Sequence, residues 1–185
     1  MATDDTHNVL CNASDNLAKI VPSASLDARR SPNDSNVEVS LDLITAQLEE
    51  AVRHGMANKD GPRSAHYEKD ATHALALLPR YVGTDKAKLN ALGAKKGVIS
   101  SILHLMRIYE DSFKVCEKAV GAIGLLCRYG DHKSTRSEEN MRRLGEAGAC
   151  EAVSAALTRH GQEHVSIAEK VFVVMGSLSL HKIMI

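Results

Sequence analysis

The chain has 185 residues, with 23 basic and 23 acidic side chains, so its formal charge at pH 7 is zero. Hydrophobic residues make up 44% of it but aromatic ones only 3%, with no Trp. A core of that composition is built from Ala, Leu, Ile and Val, which suits closely packed helices better than an aromatic-rich β-sandwich. No run reaches 18 consecutive apolar residues, which excludes a membrane-spanning helix, and the start MATDDTHNVL has acids where a secretory signal needs a basic and then an apolar stretch. The four Cys, without secretory context, read as reduced thiols of a cytoplasmic chain, cytosolic or nuclear.

Residues 1–38 are rich in Asn, Asp, Ser, Thr and Pro, and their apolar residues are too sparse to define a face. They are expected to form a polar, mostly disordered tail with one short helix near 13–21. Two Asn-x-Ser triplets, at 12–14 and 33–35, read as chance in a chain without a signal. From Val39 onward apolar residues recur at helical spacing, and no segment alternates with period two.

The first such helix is anchored by Leu41, Ile44 and Leu48, and a loop is expected over 54–63. A longer helix follows, with apolar or small residues at Tyr67, Ala71, Ala74, Leu75 and Leu78. Thr84 and Asp85 are suited to cap a short helix ending near Leu92. Gly97 then stands two residues before the anchors Ile99, Ile102 and Met106, where a tight turn favours a residue without Cβ. The next helix carries Val115, Ala119, Ala122, Ile123 and Leu126. After a loop expected over 130–137, Ser137, Glu138 and Glu139 suit a helix start. Gly148 precedes the anchors Cys150, Val153 and Leu157, and the last helix carries Ile167, Val171, Val174, Met175 and Leu178.

These elements repeat. The three longer helices share the internal spacing 4, 3, 1, 3, one face of an α-helix, and the helices before them share 3, 4. Shifts of 48 and 52 residues superimpose the three copies, and A-L-A-L-L-P-R-Y at 74–81 answers A-I-G-L-L-C-R-Y at 122–129. Each unit therefore reads as a short first helix, a second helix and a longer third helix, over about 39–81, 84–129 and 137–180, with the first helix missing from the first unit.

At this point the chain resembles the armadillo repeat family. The resemblance rests on L-G-E-A-G-A-C-E-A-V-S-A-A-L at 144–157, V-S-I-A-E-K-V-F-V-V-M-G-S-L at 165–178 and L-G-A-K-K-G-V-I-S-S-I-L at 92–103. It covers roughly residues 39–180, with the two-helix HEAT repeat as nearest alternative. It implies an all-α, right-handed α-solenoid of about three repeats, whose third helices line a concave groove that binds a partner protein or extended peptide. Importin-α-like members carry a Trp and an Asn on each third helix. Here the Trp positions hold His73, Gly121 and Val173, and the Asn positions hold Leu77, Leu125 and Ser177. The ladder for basic peptides is absent. Arg80 with Arg128, and Lys118 with Lys170, repeat on the implied groove, which loosely resembles the basic groove of β-catenin-like members and their acidic partners. Asp70 occupies the register of the two lysines in the first unit.

Catalytic and metal chemistry find little support. There is no G-x-S-x-G elbow, no phosphate-binding G-x-x-x-x-G-K-[ST], and no Cys-x-x-Cys or Cys-His cluster at zinc spacing. G-A-I-G-L-L at 121–126 lies within a helical pattern and reads as packing. Cys116, Cys127 and Cys150 read as small buried hydrophobes, and His160 and His164, separated by a Gly-Gln turn, as loop-surface residues. No enzyme activity and no cofactor are expected.

Charge is unevenly spread: residues 1–62 hold ten acids and five bases, residues 63–185 thirteen acids and eighteen bases. A basic solenoid is also suited to nucleic acid through phosphate contacts, although the scarcity of aromatics argues against base stacking. The apolar end S-L-S-L-H-K-I-M-I offers no polar cap, so Val173, Val174, Leu180, Ile183 and Ile185 are expected to form an open edge suited to cover by another chain. A truncated array is a further alternative. The reading favoured here is a non-enzymatic protein-binding module.

Overall fold

The structure, a computed structural model, describes residues 39–58, 64–127 and 135–183, with side chains described for 39–57, 65–127 and 138–179. Among the described residues the protein is all-helical, with eight α-helices and no strand. They are α1 (Leu41–Asn58), α2 (Ser64–Val82), α3 (Lys86–Ala94), α4 (Val98–Ile108), α5 (Phe113–Leu126), α6 (Thr135–Glu146), α7 (Ala149–His160) and α8 (Val165–Ile183). No described helix is long and apolar enough to cross a membrane.

Local chemistry accounts for several of the boundaries. Asp85 is the N-cap of α3: its Oδ1 accepts from the backbone N–H of Ala87 at 2.7 Å and of Lys88 at 3.2 Å. Ser112 caps α5 in the same way, accepting from Val115 N–H at 3.3 Å. Gly97 (φ 95°) and Gly148 (φ 83°) enter α4 and α7 from left-handed backbone, a conformation that a Cβ penalises. Thus the turns from α3 to α4 and from α6 to α7 each pass through one glycine.

Packing follows the sequence register. α1 lies on α4 and α4 on α7; α2 lies on α5 and α5 on α8; α3 lies on α6. The contacts among α3, α4 and α5 recur among α6, α7 and α8. The expected apolar faces form the core: in α2, α5 and α8 every one of those positions is buried except Tyr67 and Met175, which are half-buried. Each fully buried Leu or Ile there, such as Leu78, Ile123 or Ile167, is worth roughly 1.5–3 kcal/mol of transfer free energy.

The first-helix row is held by a close approach. A Cβ on Gly93 of α3 would overlap the side chain of Asn140 of α6, which is buried. Arg143 of α6 also donates to the Gly93 carbonyl at 3.2 Å. On its solvent side α6 is tied by Arg142 to Glu139 and Glu146, one turn apart in each direction.

Five expectations need correction. Val174, expected on an open edge, is 2% exposed and belongs to the core, while the side chains of Leu180, Ile183 and Ile185 lie outside the described residues. α1 runs on to Asn58, so the first part of the loop expected over 54–63 is helix. α6 begins at Thr135 and so takes the end of the loop expected over 130–137. In α7 the buried stripe is Ala149, Val153, Ala156 and His160, whereas Cys150 and Leu157 are half-buried. Small Ala149 and Cys150 are interchangeable to a hydrophobic pattern, and only contact with α4 and α8 selects between them. His160 is the last residue of α7 and 6% exposed, not a loop-surface residue. The expected tail over 1–38, with both Asn-x-Ser triplets, lies outside the described residues.

Candidate functional site

The three longer helices α2, α5 and α8 carry the residues singled out from the sequence, and their helical register decides which reach solvent. His73, Arg80, Lys118, Gly121, Lys170 and Val173 are exposed, and Asp70 and Ser177 are half-buried. Leu77 and Leu125 are 6% and 5% exposed and belong to the core, so their side chains offer a partner almost no surface. Both are therefore packing residues of α2 and α5. Arg128 lies outside the described residues.

The two repeated lysines are not equivalent. Lys170 donates through Nζ to Glu117 Oε1 at 2.7 Å, so it joins α8 to α5. Hydrogen bonds from Lys170 and from Ser166, with the charges of Lys170 and Lys118, hold the Glu117 carboxyl below the usual range. Lys118, by contrast, makes no ion pair among the described residues, and neither do Arg80 and Lys114. Lys114 sits one turn before Lys118 on the same face of α5 and is exposed. Repetition does not mark it, because His66 and Ser166 stand at the corresponding positions; its signal in the sequence is the spacing of four from Lys118.

Asp70 and His73 face a different neighbourhood. They line a cleft of about 250 Å³ with Gln47, Glu50 and His54 of α1, above Ala51 and Ala74. His66 Nε2 lies 3.7 Å from Asp70 Oδ2. This end of the third-helix row is therefore polar and mixed in charge, while the exposed side of α5 is basic.

Several contacts between helices are built at the helix ends. Ser112 Oγ donates to Glu68 Oε1 at 2.8 Å, linking α5 to α2. His160 Nε2 is 2.9 Å from the Glu110 carbonyl, an acceptor, so that nitrogen donates. The His164 ring stacks on Phe113 at 3.7 Å between centroids. These contacts absorb His160 and His164 into the architecture, and no group of three or more metal-ligating side chains occurs among the described residues.

A more apolar hollow of about 390 Å³ lies between α4 and α7, lined among others by Met106, Arg107, Cys116, Ala152, Ala156 and Arg159. Burial pushes the Cys116 thiol up to about 11 and the Cys127 thiol to about 12. Burial thus favours the protonated thiol at both positions. Compared with family models, with curated proteins and with solved structures, the chain matches none.

Proposed function

We propose that residues 39–180 form a right-handed α-solenoid of three armadillo-like units that binds an acidic partner protein or extended peptide along its third helices. The first unit contributes α1 and α2, the second α3 to α5 and the third α6 to α8. Binding is non-enzymatic: a rigid row of helices offers charge and shape, and no bond is made or broken. A reducing compartment, cytosol or nucleus, fits the free thiols Cys116, Cys127 and Cys150.

The observation that carries this reading is the set of exposed, unpaired cations on adjacent third helices. Lys114 and Lys118 on α5, with Arg80 at the end of α2, make no direct ion pair among the described residues. Other cations are already engaged: Lys95 pairs with Asp42, and Arg159 with Glu110 and Asp111. Charges left free on one face steer and orient an oppositely charged partner. Lys170 now counts as a structural tie, and Leu77 and Leu125 as core, so the binding face narrows to His73, Arg80, Lys114, Lys118, Gly121 and Val173.

Fluorescence anisotropy with the full chain tests this, using a labelled extended Asp/Glu-rich peptide and, separately, mixed single-stranded RNA and duplex DNA. The peptide is expected to bind, and the double reversal K114E/K118E to weaken it by roughly tenfold or more. Tight, steeply salt-dependent binding of the nucleic acids without binding of the peptide contradicts the proposal and supports the nucleic-acid alternative.

A further inference from the structure

The register that relates α5 to α8 also relates the faces on which successive third helices meet. On α5 the positions Phe113, Glu117, Val120 and Gly124 form one stripe, with spacing 4, 3, 4. α8 covers it. His164 stacks on Phe113, Lys170 pairs with Glu117 at 2.7 Å, and Val174 Cγ2 sits where a Cβ on Gly124 would be 3.2 Å away. Val120 is completely buried.

Fifty-two residues later, the same four positions on α8 are Val165, Glu169, Phe172 and Gly176. The chemistry is kept: two apolar side chains, a carboxylate and a glycine. The cover is not. Val165 is 70% and Phe172 68% exposed, Glu169 is exposed with no ion pair among the described residues, and a Cβ on Gly176 would meet nothing within 4 Å. Exposed apolar side chains of that size, grouped on one helix face, mark an interaction site.

We propose that this stripe of α8 docks one amphipathic α-helix of a partner chain, carrying a Lys or Arg and, four residues on, a Val or Ile. That is the pair, Lys170 and Val174, that α8 itself offers to α5. The basic residue pairs with Glu169, the branched side chain enters the notch over Gly176, and Phe172 is buried as Val120 is. The partner is not a second copy joined end to end. One hundred residues before Lys170 and Val174, α2 carries Asp70 and Ala74. Asp70 against Glu169 sets like charges together, and Ala74 is too short for the notch. The docking face is separate from the basic face of α5, and neither proposal depends on the other.

The probe is a labelled, alanine-rich helical peptide presenting His, Ile, Lys, Val and Val with the spacing of residues 164, 167, 170, 171 and 174. It is titrated into the full chain by anisotropy. G176L, which fills the notch, is expected to weaken binding by about tenfold, and E169K by about fivefold. A peptide with its Lys changed to Glu recovers affinity for E169K. Helical circular dichroism stays unchanged in both variants, since both positions face solvent. No binding to the wild-type chain, or equal affinity for wild type, G176L and E169K, overturns the proposal. So does a self-dimer in sedimentation velocity that F172D abolishes and that excludes the peptide.

Discussion

Glu117 shows how a single side chain ties two helices together. Its carboxyl accepts from Lys170 and Ser166 of α8, and these hydrogen bonds hold its pKa below the usual Glu range of about 4.3. A carboxylate with a lowered folded-state pKa contributes stability that is present above its unfolded-state pKa and fades as pH falls through the folded value. Replacing Lys170 by Met is therefore expected to return the Glu117 midpoint toward the ordinary range, followed by carbon-13 NMR of the side-chain carboxyl. The stability difference between the two proteins should be present at neutral pH and vanish in strong acid. An unmoved midpoint would mean that the ion pair does not form in solution. The pairing of these two residues was not visible in the sequence, where Lys170 read as a groove cation. Repetition of Lys at 118 and 170 hid the fact that only the second has an acid opposite it, because that acid lies 53 residues away.

At the scale of elements, the close contact of α3 with α6 depends on one absent side chain. Ala at Gly93 gains intrinsic helix propensity of about 1 kcal/mol, yet its Cβ would overlap the buried Asn140 side chain. Overpacking of this kind costs roughly 1–3 kcal/mol, so G93A should be destabilised in urea unfolding despite the better helix former. Combining it with N140A should recover part of the loss, since the two positions are in contact. A G93A protein as stable as wild type, with no coupling to N140A, contradicts this packing.

The elements themselves were largely legible. Burial on a helix is periodic, so the 4, 3, 1, 3 spacing picked out the residues that now fill the core of α2, α5 and α8. Asp85, Gly97 and Gly148 announced their turns because caps and positive φ are local chemistry. What remained hidden depends on neighbours distant in sequence. The stripe of α7 shifted by one residue, and His160 went inside, because the Glu110 carbonyl and Phe113 wait for it there. Leu77 and Leu125 stood in the register of a groove, but contact with adjacent helices buries them.

For the whole molecule, the surface divides by face. The polar cleft of Asp70 and His73 lies at the α1–α2 end, free cations lie on α5, and an apolar stripe lies on α8. Formal neutrality conceals this, because carboxylates neutralise some cations through direct pairs and leave others unpaired. If the helices act as a binding row, the acidic peptide should touch side chains contributed by more than one unit at once, with its affinity set by face geometry as well as charge. Amide chemical-shift mapping of the full chain during titration with the Asp/Glu-rich peptide tests this claim most directly. The account predicts shifts concentrated at the exposed positions of α2 and α5, around His73, Arg80, Lys114, Lys118 and Gly121. Shifts confined to α4 and α7, or to the α1–α2 cleft alone, would contradict it.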